Sequence, residues 1–575
     1  MNDCAENQTD LSHWLQSDGQ LRTQCSPVST SASDVIRETA DYATEAMNVT
    51  YTPIGHVPLV SRASKYAKYV FGFAAVVVVG SLLVSDKSTT TSPLRSVTET
   101  AQTLNRMENV PFPGANDLIT ELHGKPDSYT SRLFSGYLPI GNGGQAFYFF
   151  AESQSAKPED DPVLLWLNGG PGSSSLAGCF SEDGPLIVNH DGQSLRVNEY
   201  SWNSNANFLC IESPVGVGFS YNISGVYESD DLKQADELYG ALQQFYVKFP
   251  WLRENDFIIS GESYGGIYVP ATAKRIVEGN LAGDEPKINL KKFVVGNGVN
   301  EFMTLSKVVY AYYHGLIGTE DYLSVREACP ELKEGDPFPV TGISFECTYA
   351  MNSFEDFITS AGINRYHIYG KCVGKPLDGF DEMIHEMQTP STGFPHPVAM
   401  TIGHCLESAN LVTYFNNPAV RASMHTNKAL GRWTDNVLTS ANVDIDEFAE
   451  SIGVSTEDAL SKVLKYNSTL NSQVTTMWRY LLDHDVRGVI YYGDGDMICD
   501  FIGGLWAVES LQLPRKQSRQ VWTVMVDGSE QVGGFYEDFG VLQYVTVKGA
   551  GHMVPQTNPV EAKKMLDMFV LNKVV

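Results

Sequence analysis

Ile258-Ile259-Ser260-Gly261-Glu262-Ser263-Tyr264-Gly265-Gly266 is the stretch whose reading decides the fold. An apolar run stops at a glycine, presents one serine, meets a second glycine and continues as a helix-like pattern from Ile267 to Val277. These are the marks of a nucleophile elbow, a strand-to-helix turn so tight that its neighbours need minimal side chains. The turn holds the Ser263 hydroxyl above the sheet, and the helix aims its N-terminal amides at the same spot. Gly-x-Ser-x-Gly alone is a weak signal; the strand before it and the helix after it are what strengthen it.

An elbow needs a sheet, and the chain supplies one. Phe147–Phe150, Val163–Leu167, Phe208–Ile211, Phe257–Ile259, Phe293–Val295, Val489–Tyr492 and Tyr544–Val547 are short apolar runs bounded by turn residues, as buried strands are. Between them lie helical patterns such as Leu232 to Phe249, with apolar positions at Leu238, Leu242 and Phe245. Strands alternating with helices predict an α/β fold: a mostly parallel central sheet covered by helices on both faces. From 304 to 410 the rhythm breaks into loop-forming residues and cysteines, which predicts a cap or lid insertion between the two parts of a catalytic domain at 109–303 and 411–575.

The first hundred residues read differently. Residues 1–65 are polar and without apolar periodicity, which predicts a disordered tail. Residues 66–85 contain Tyr69 to Val84, a run free of charge and close to the length a bilayer helix needs. Arg62, Lys65 and Lys68 precede it, so the positive-inside bias predicts a single-pass signal anchor with a cytosolic N-terminus. Residues 86–108 read as a flexible stalk, and the remainder as lumenal or extracellular, in a vacuolar, lysosomal or other endomembrane setting. The net charge of −28 over 575 residues argues against nucleic acid as a partner.

Lumenal placement gives the cysteines and sequons meaning. Cys4 and Cys25 fall on the cytosolic side; Cys179, Cys210, Cys329, Cys347, Cys372, Cys405 and Cys499 fall where disulfides persist, and their odd number leaves at least one free. Cys210 sits in an apolar strand and reads as packing. Asn222-Ile223-Ser224 and Asn467-Ser468-Thr469 are glycosylation acceptors; Asn7 and Asn48 match the pattern but lie before the anchor.

A serine on an elbow needs a base and a group to orient it, in the chain order Ser, acid, His. Tyr492-Gly493-Asp494-Gly495-Asp496 follows one strand and Gly549-Ala550-Gly551-His552 follows the last. His552 would take the Ser263 proton, and an aspartate would hold the imidazole; alternation leaves Asp494 and Asp496 equal, since both face one side. Trp166-Leu167-Asn168-Gly169-Gly170-Pro171 offers bare amides after a strand, suited to an oxyanion. The spacing of His367, His385, His396 and His404 matches no metal site, and no cofactor is called for.

WLNGGPGSSS, GESYGG, GDGDMIC and GAGHMVP, in that order and joined by NPAVRASMH at 417–425, resemble the serine carboxypeptidases, the group that includes carboxypeptidase Y and cathepsin A. The similarity runs from about Val110 to the C-terminus. It implies an α/β-hydrolase fold with a cap insertion, and removal of C-terminal residues from peptides and proteins at acidic pH through an acyl-enzyme. It makes Ser263 the nucleophile, Asp496 rather than Asp494 the orienting acid, His552 the base, and the Gly170 and Tyr264 amides the oxyanion donors. It further implies that Trp166, Asn168, Gly169, Glu182 and Glu262 hold the substrate's free carboxylate. Two adjacent carboxyls cannot both ionise cheaply, so the Glu182–Glu262 pair would keep a proton to donate.

The sequence departs from the family at Ser173, where a cysteine usually bridges to one matched here by Cys405. Cys179 is the expected replacement in that bridge, Cys347–Cys372 the expected second, and Cys499 matches a free thiol seen in some members. Related plant proteins transfer acyl groups to alcohols and commonly alter the glutamate before the serine and the asparagine of WLNGG; this chain keeps Glu262 and Asn168. A third alternative is a non-catalytic role protecting or escorting partner proteins. The sequence leaves the oligomeric state open.

Overall fold

The apolar runs become strands of an eleven-stranded sheet. Ten lie along its main path: β1 (Leu133–Pro139), β2 (Gly144–Ala151), β3 (Val163–Leu167), β4 (Asn207–Ile211), β5 (Phe257–Ser263), β6 (Leu290–Gly298), β7 (Arg487–Gly493), β8 (Gln517–Val526), β9 (Ser529–Asp538) and β10 (Leu542–Val547). Their spatial order is β1-β2-β4-β3-β5-β6-β7-β10-β9-β8, and Tyr221–Asn222 pairs off the start of β2. The six strands from β4 to β10 run parallel; the pairings outside them are antiparallel. The computed structural model describes residues 112–339, 342–371, 399–400, 408–437 and 463–573. The expected tail, anchor and stalk lie outside these residues, and no helix among them is long and apolar enough to cross a membrane.

Strand alternation explains why both faces are covered. Val163, Leu165, Phe257 and Ile259 feed one apolar layer, while Leu164, Trp166 and Ile258 feed the other. The first layer is closed by α2 (Asp231–Lys248) and α3 (Gly265–Ala282), the second by α1 (Ser175–Ser181). In α2, Ala235, Leu238, Leu242 and Phe245 recur at helical spacing and are all buried. The Asp230 carboxylate caps its start by accepting from the Leu232 and Lys233 amides at 2.9 Å each. Pro250 stops it: Phe249 leaves the helical region at φ −121, ψ 65.

Between β6 and β7 the described chain includes α4 (Met303–Tyr313), α5 (Thr319–Ala328), α6 (Phe345–Ser360), α7 (Ala409–Phe415) and α8 (Val474–Asp483). α4, α5 and α6 share an apolar cluster of their own, including Leu305, Val309, Val325, Phe354 and Ile358. α9 (Phe501–Ser510) follows β7.

The disulfides differ from expectation. Cys179 on α1 bonds Cys210 on β4, so Cys210 is not inert packing and Cys179 is not bridged to Cys405. Cys347 in the first turn of α6 bonds Cys329 at the end of α5, not Cys372. Both bonds join elements that pack directly, with Cα atoms 6.7 and 4.5 Å apart, inside the reach of a disulfide. Cys372 and Cys405 lie outside the described residues. Cys499 is free and buried.

Candidate active site

The elbow is built as the sequence reads. β5 ends at Ser263, α3 begins at Gly265, and Ser263 sits in the left-handed region at φ 60. A serine there is strained and must be held by its surroundings. Its carbonyl accepts from the Val299 amide at 2.9 Å. A Cβ on Gly261 would lie 2.6 Å from the Leu167 carbonyl oxygen, and one on Gly266 only 2.6 Å from the Val299 nitrogen. At Gly265 the nearest atom would be 3.3 Å away. The position just outside the motif is therefore more crowded than the motif's own second glycine.

Loops at the carboxyl ends of the parallel strands bring the other groups in. His552 follows β10 and Asp496 follows β7; the His552 Nδ1 and Asp496 Oδ2 lie 2.7 Å apart, both side chains buried. Asp496 Oδ2 also accepts from Asn297 Nδ2 (2.8 Å) and the Cys499 amide (3.2 Å), and Oδ1 accepts from the Ile498 amide (2.9 Å). So many donors hold the carboxylate in place. Asp494 faces elsewhere and binds the Gly549 amide at 2.6 Å. Asp496, Cys499 and His552 are also the cluster of potential metal ligands among the described residues, with ligand atoms within 4.8 Å of one another.

Asn168, at the end of β3, organises the remaining acids. Its Nδ2 donates to Glu262 Oε1 at 2.9 Å and to Glu182 Oε1 at 3.3 Å; its Oδ1 accepts from Trp166 Nε1 at 2.9 Å and the Gly178 amide at 3.0 Å. All four polar positions of this amide are used, which fixes its orientation. Glu182 stands just past the end of α1 and Glu262 on β5, so two elements bring the carboxyls together. Burial pushes Glu182 up to about 7. Glu262 is raised well above the usual range by burial and by the charge of Glu182. Asp183, next in the chain, is fully buried and raised for the same two reasons. The pair can hold a proton and donate it to an anion.

Ser263, His552, Glu182, Glu262, Asn168, Gly169 and Gly170 line one cavity of about 250 Å³. Trp166 is not among its lining residues: fully buried, it acts on the cavity through Asn168. A Cβ on Gly169 would strike Ser263 Cβ at 2.8 Å and come closer still to the Tyr264 nitrogen, so the glycine strip lies directly on the elbow. Gly169 is thus packed directly against the Tyr264 amide nitrogen. Asn222 is part-exposed and Asn467 exposed.

Three neighbours were not legible beforehand. Asn297, at φ 40 near the end of β6, donates to Asp496 and accepts from the Gly493 amide at 3.0 Å. Gly296-Asn297-Gly298 after an apolar run was a signal that could have marked it. Tyr366 lines the cavity, its ring edge-on to His552 at 5.2 Å, and its carbonyl accepts the His552 amide at 2.6 Å. Asp231 begins α2 yet hydrogen-bonds the Tyr264 hydroxyl. Nothing local in the sequence marks the last two.

Comparison with known proteins gives the family of the chain. A family model described as serine carboxypeptidase matches residues 124–572. Lysosomal protective protein of Mus musculus is 32% identical over 490 residues, covering 82% of this chain and 96% of that protein. Serine carboxypeptidase 24 of Arabidopsis thaliana is 33% identical over 476 residues, covering 80% and 92%. The crystal structure of a prohormone-processing carboxypeptidase from Saccharomyces cerevisiae superposes with a TM-score of 0.59 at 21% identity, covering 80% of this chain and 97% of that one. That last likeness is one of fold.

Proposed function

Because the chain belongs to the serine carboxypeptidase family of α/β-hydrolase enzymes, we propose that it removes C-terminal residues from peptides and proteins at acidic pH through Ser263, His552 and Asp496. The observation that carries this reading is a shared cavity: the elbow serine and the histidine line the same space as the paired carboxyls. A nucleophile beside a proton-holding acid pair suits a substrate that ends in a carboxylate.

Ser263 Oγ attacks the last peptide carbonyl while His552 takes its proton; Asp496 holds the imidazole and stabilises the cation. The Gly170 and Tyr264 amides receive the oxyanion. Collapse expels the C-terminal residue, with His552 protonating its nitrogen, and leaves an ester on Ser263. Water, deprotonated by His552, then releases the shortened peptide. Glu182, Glu262, Asn168 and Gly169 bind the free carboxylate, with Trp166 setting Asn168. Below about pH 7 both carboxyls can donate; above it Glu182 becomes a charge beside the substrate's carboxylate and weakens its binding. Joined Glu262 and Asn168 support hydrolysis over acyl transfer to an alcohol.

Residues 304–410, to which α5 and α6 belong, form the cap, and residues 66–85 a membrane anchor that places the catalytic body in an oxidising endomembrane lumen. Two disulfides and the exposed Asn467 sequon support that placement. The test is release of C-terminal residues from blocked dipeptides by the full chain, read by mass spectrometry from pH 4 to 7. No release, together with a Ser263 inert to an organophosphate, would refute the proposal; so would undiminished release by Ser263→Ala.

A further inference from the structure

Asp231 is a fully buried carboxylate that makes no ion pair among the described residues. It is met by five donors, the Thr469 hydroxyl at 3.4 Å from Oδ2 among them. Oδ1 accepts from the Tyr264 hydroxyl at 2.9 Å and the Tyr466 hydroxyl at 2.8 Å. Oδ2 accepts from the Thr469 amide at 2.6 Å and the Leu470 amide at 2.8 Å. A buried carboxyl without a cation is costly unless hydrogen-bonded, and here donors arrive from α3's start and from the loop after 465. One of them belongs to the residue that follows Ser263.

The Tyr264 side chain is thereby tied at its far end. Its hydroxyl also lies 2.6 Å from Ser468 Oγ, and its ring packs edge-on to Tyr268 at 5.2 Å and Tyr466 at 5.9 Å. The other end of the residue is its amide, against which Gly169 is packed with no room for a Cβ. A phenol fixed by a hydrogen bond has one position; an apolar ring in the same slot can slide, and the slide is passed to Cα and the amide. Donors to an oxyanion act only when aimed before the reaction, and a misplacement of about 1 Å can cost about 100-fold in rate.

We propose that Asp231 is a positioning residue for the reaction: by holding the Tyr264 phenol it sets the Tyr264 amide against Ser263 and the Gly169–Gly170 strip. This role rests on the reading of that amide as an oxyanion donor.

Tyr264→Phe in the full chain removes the phenol's bond and keeps the amide. We expect kcat to fall about tenfold with KM within about twofold, since a mis-aimed donor costs part of what a deleted one does. A peptide aldehyde, whose adduct with Ser263 places an oxyanion between the donors, should lose affinity by the same factor. Tyr466→Phe removes a different donor from the same oxygen and leaves Tyr264 tethered, so it should lower Tm while kcat stays within about twofold. A purely structural Asp231 would move both variants alike. Asp231→Asn is not relied on, because loss of the fold would imitate the result. The role is overturned if Tyr264→Phe keeps kcat and aldehyde affinity within twofold of the wild type, or if the two variants lose activity equally. A wild type that neither releases residues nor reacts at Ser263 overturns the underlying assignment, and this role with it.

Discussion

His552 Nδ1 stands 2.7 Å from Asp496 Oδ2, and both side chains are buried. A histidine so held has one nitrogen committed and the other free for the cavity. Asp496→Asn should keep the side chain's shape but present a donor where the imidazole N–H needs an acceptor. Turnover of a blocked dipeptide should fall by about 10⁴-fold, with KM little changed. A loss below about tenfold in steady-state assays would contradict the role of Asp496.

Substrate binding should follow the Glu182–Glu262 pair. Glu182 is raised to about 7, so KM for a peptide with a free C-terminus should be flat below pH 7 and rise above it, by about tenfold per pH unit at the limit of one lost proton. A C-terminally amidated peptide should show no such rise. Glu182→Gln, which keeps a donor without its titration, should flatten the profile. Parallel pH curves for the acid and the amide would contradict this recognition.

Stability should carry the same signature with a definite sign. Glu182, Glu262, Glu212 and Asp500 are all raised in the fold, chiefly by burial, with Glu212 at about 7 and Asp500 at about 6. Unfolded carboxyls give up protons near pH 4, so between about 4 and 7 the folded state holds more protons than the unfolded one. The stabilisation is full below the unfolded values and is lost as pH rises through the folded ones. Tm by calorimetry should therefore fall from pH 5 to pH 7.5, and the Glu182→Gln, Glu262→Gln double variant should fall less steeply.

Two adjacent glycines should behave differently. Gly266→Ala drives a methyl into the Val299 backbone, while Gly265→Ala meets the Leu167 oxygen at 3.3 Å. The first should cost about 1–3 kcal/mol in urea unfolding and reduce Ser263 labelling; the second should cost less. Equal effects would show that the Ser263 turn tolerates displacement.

The parts of the molecule that were legible are those whose meaning is local. Ser263's turn is announced by its glycines, the sheet by runs such as Val163–Leu167, and α2 by the spacing of Leu238, Leu242 and Phe245. Glu262, Asp496 and His552 stand in motifs that mark them, whereas Glu182 stands in none and follows only from the family resemblance. Disulfide pairing failed because it depends on which elements touch: Cys179 meets Cys210 only once α1 lies over β4. The β8–β9 hairpin is not among the expected strands, although Val521 to Val526 is largely apolar, because polar residues flank that run and much of the hairpin is exposed. Asp231 is 33 residues from Tyr264 and 235 from Tyr466, distances over which no spacing rule operates.

Glu262 and Ser263 are consecutive residues on one rigid strand end. On the proposed reading, the group that senses a chain's end and the group that cuts are separated by a single peptide unit, so the bite is one residue long. Each cut also exposes a fresh carboxylate, and the product is the next substrate. A pure peptide would thus be worn down into a ladder of lengths, and the rung at which it halts would be set by which side chain arrives last, not by how much chain remains.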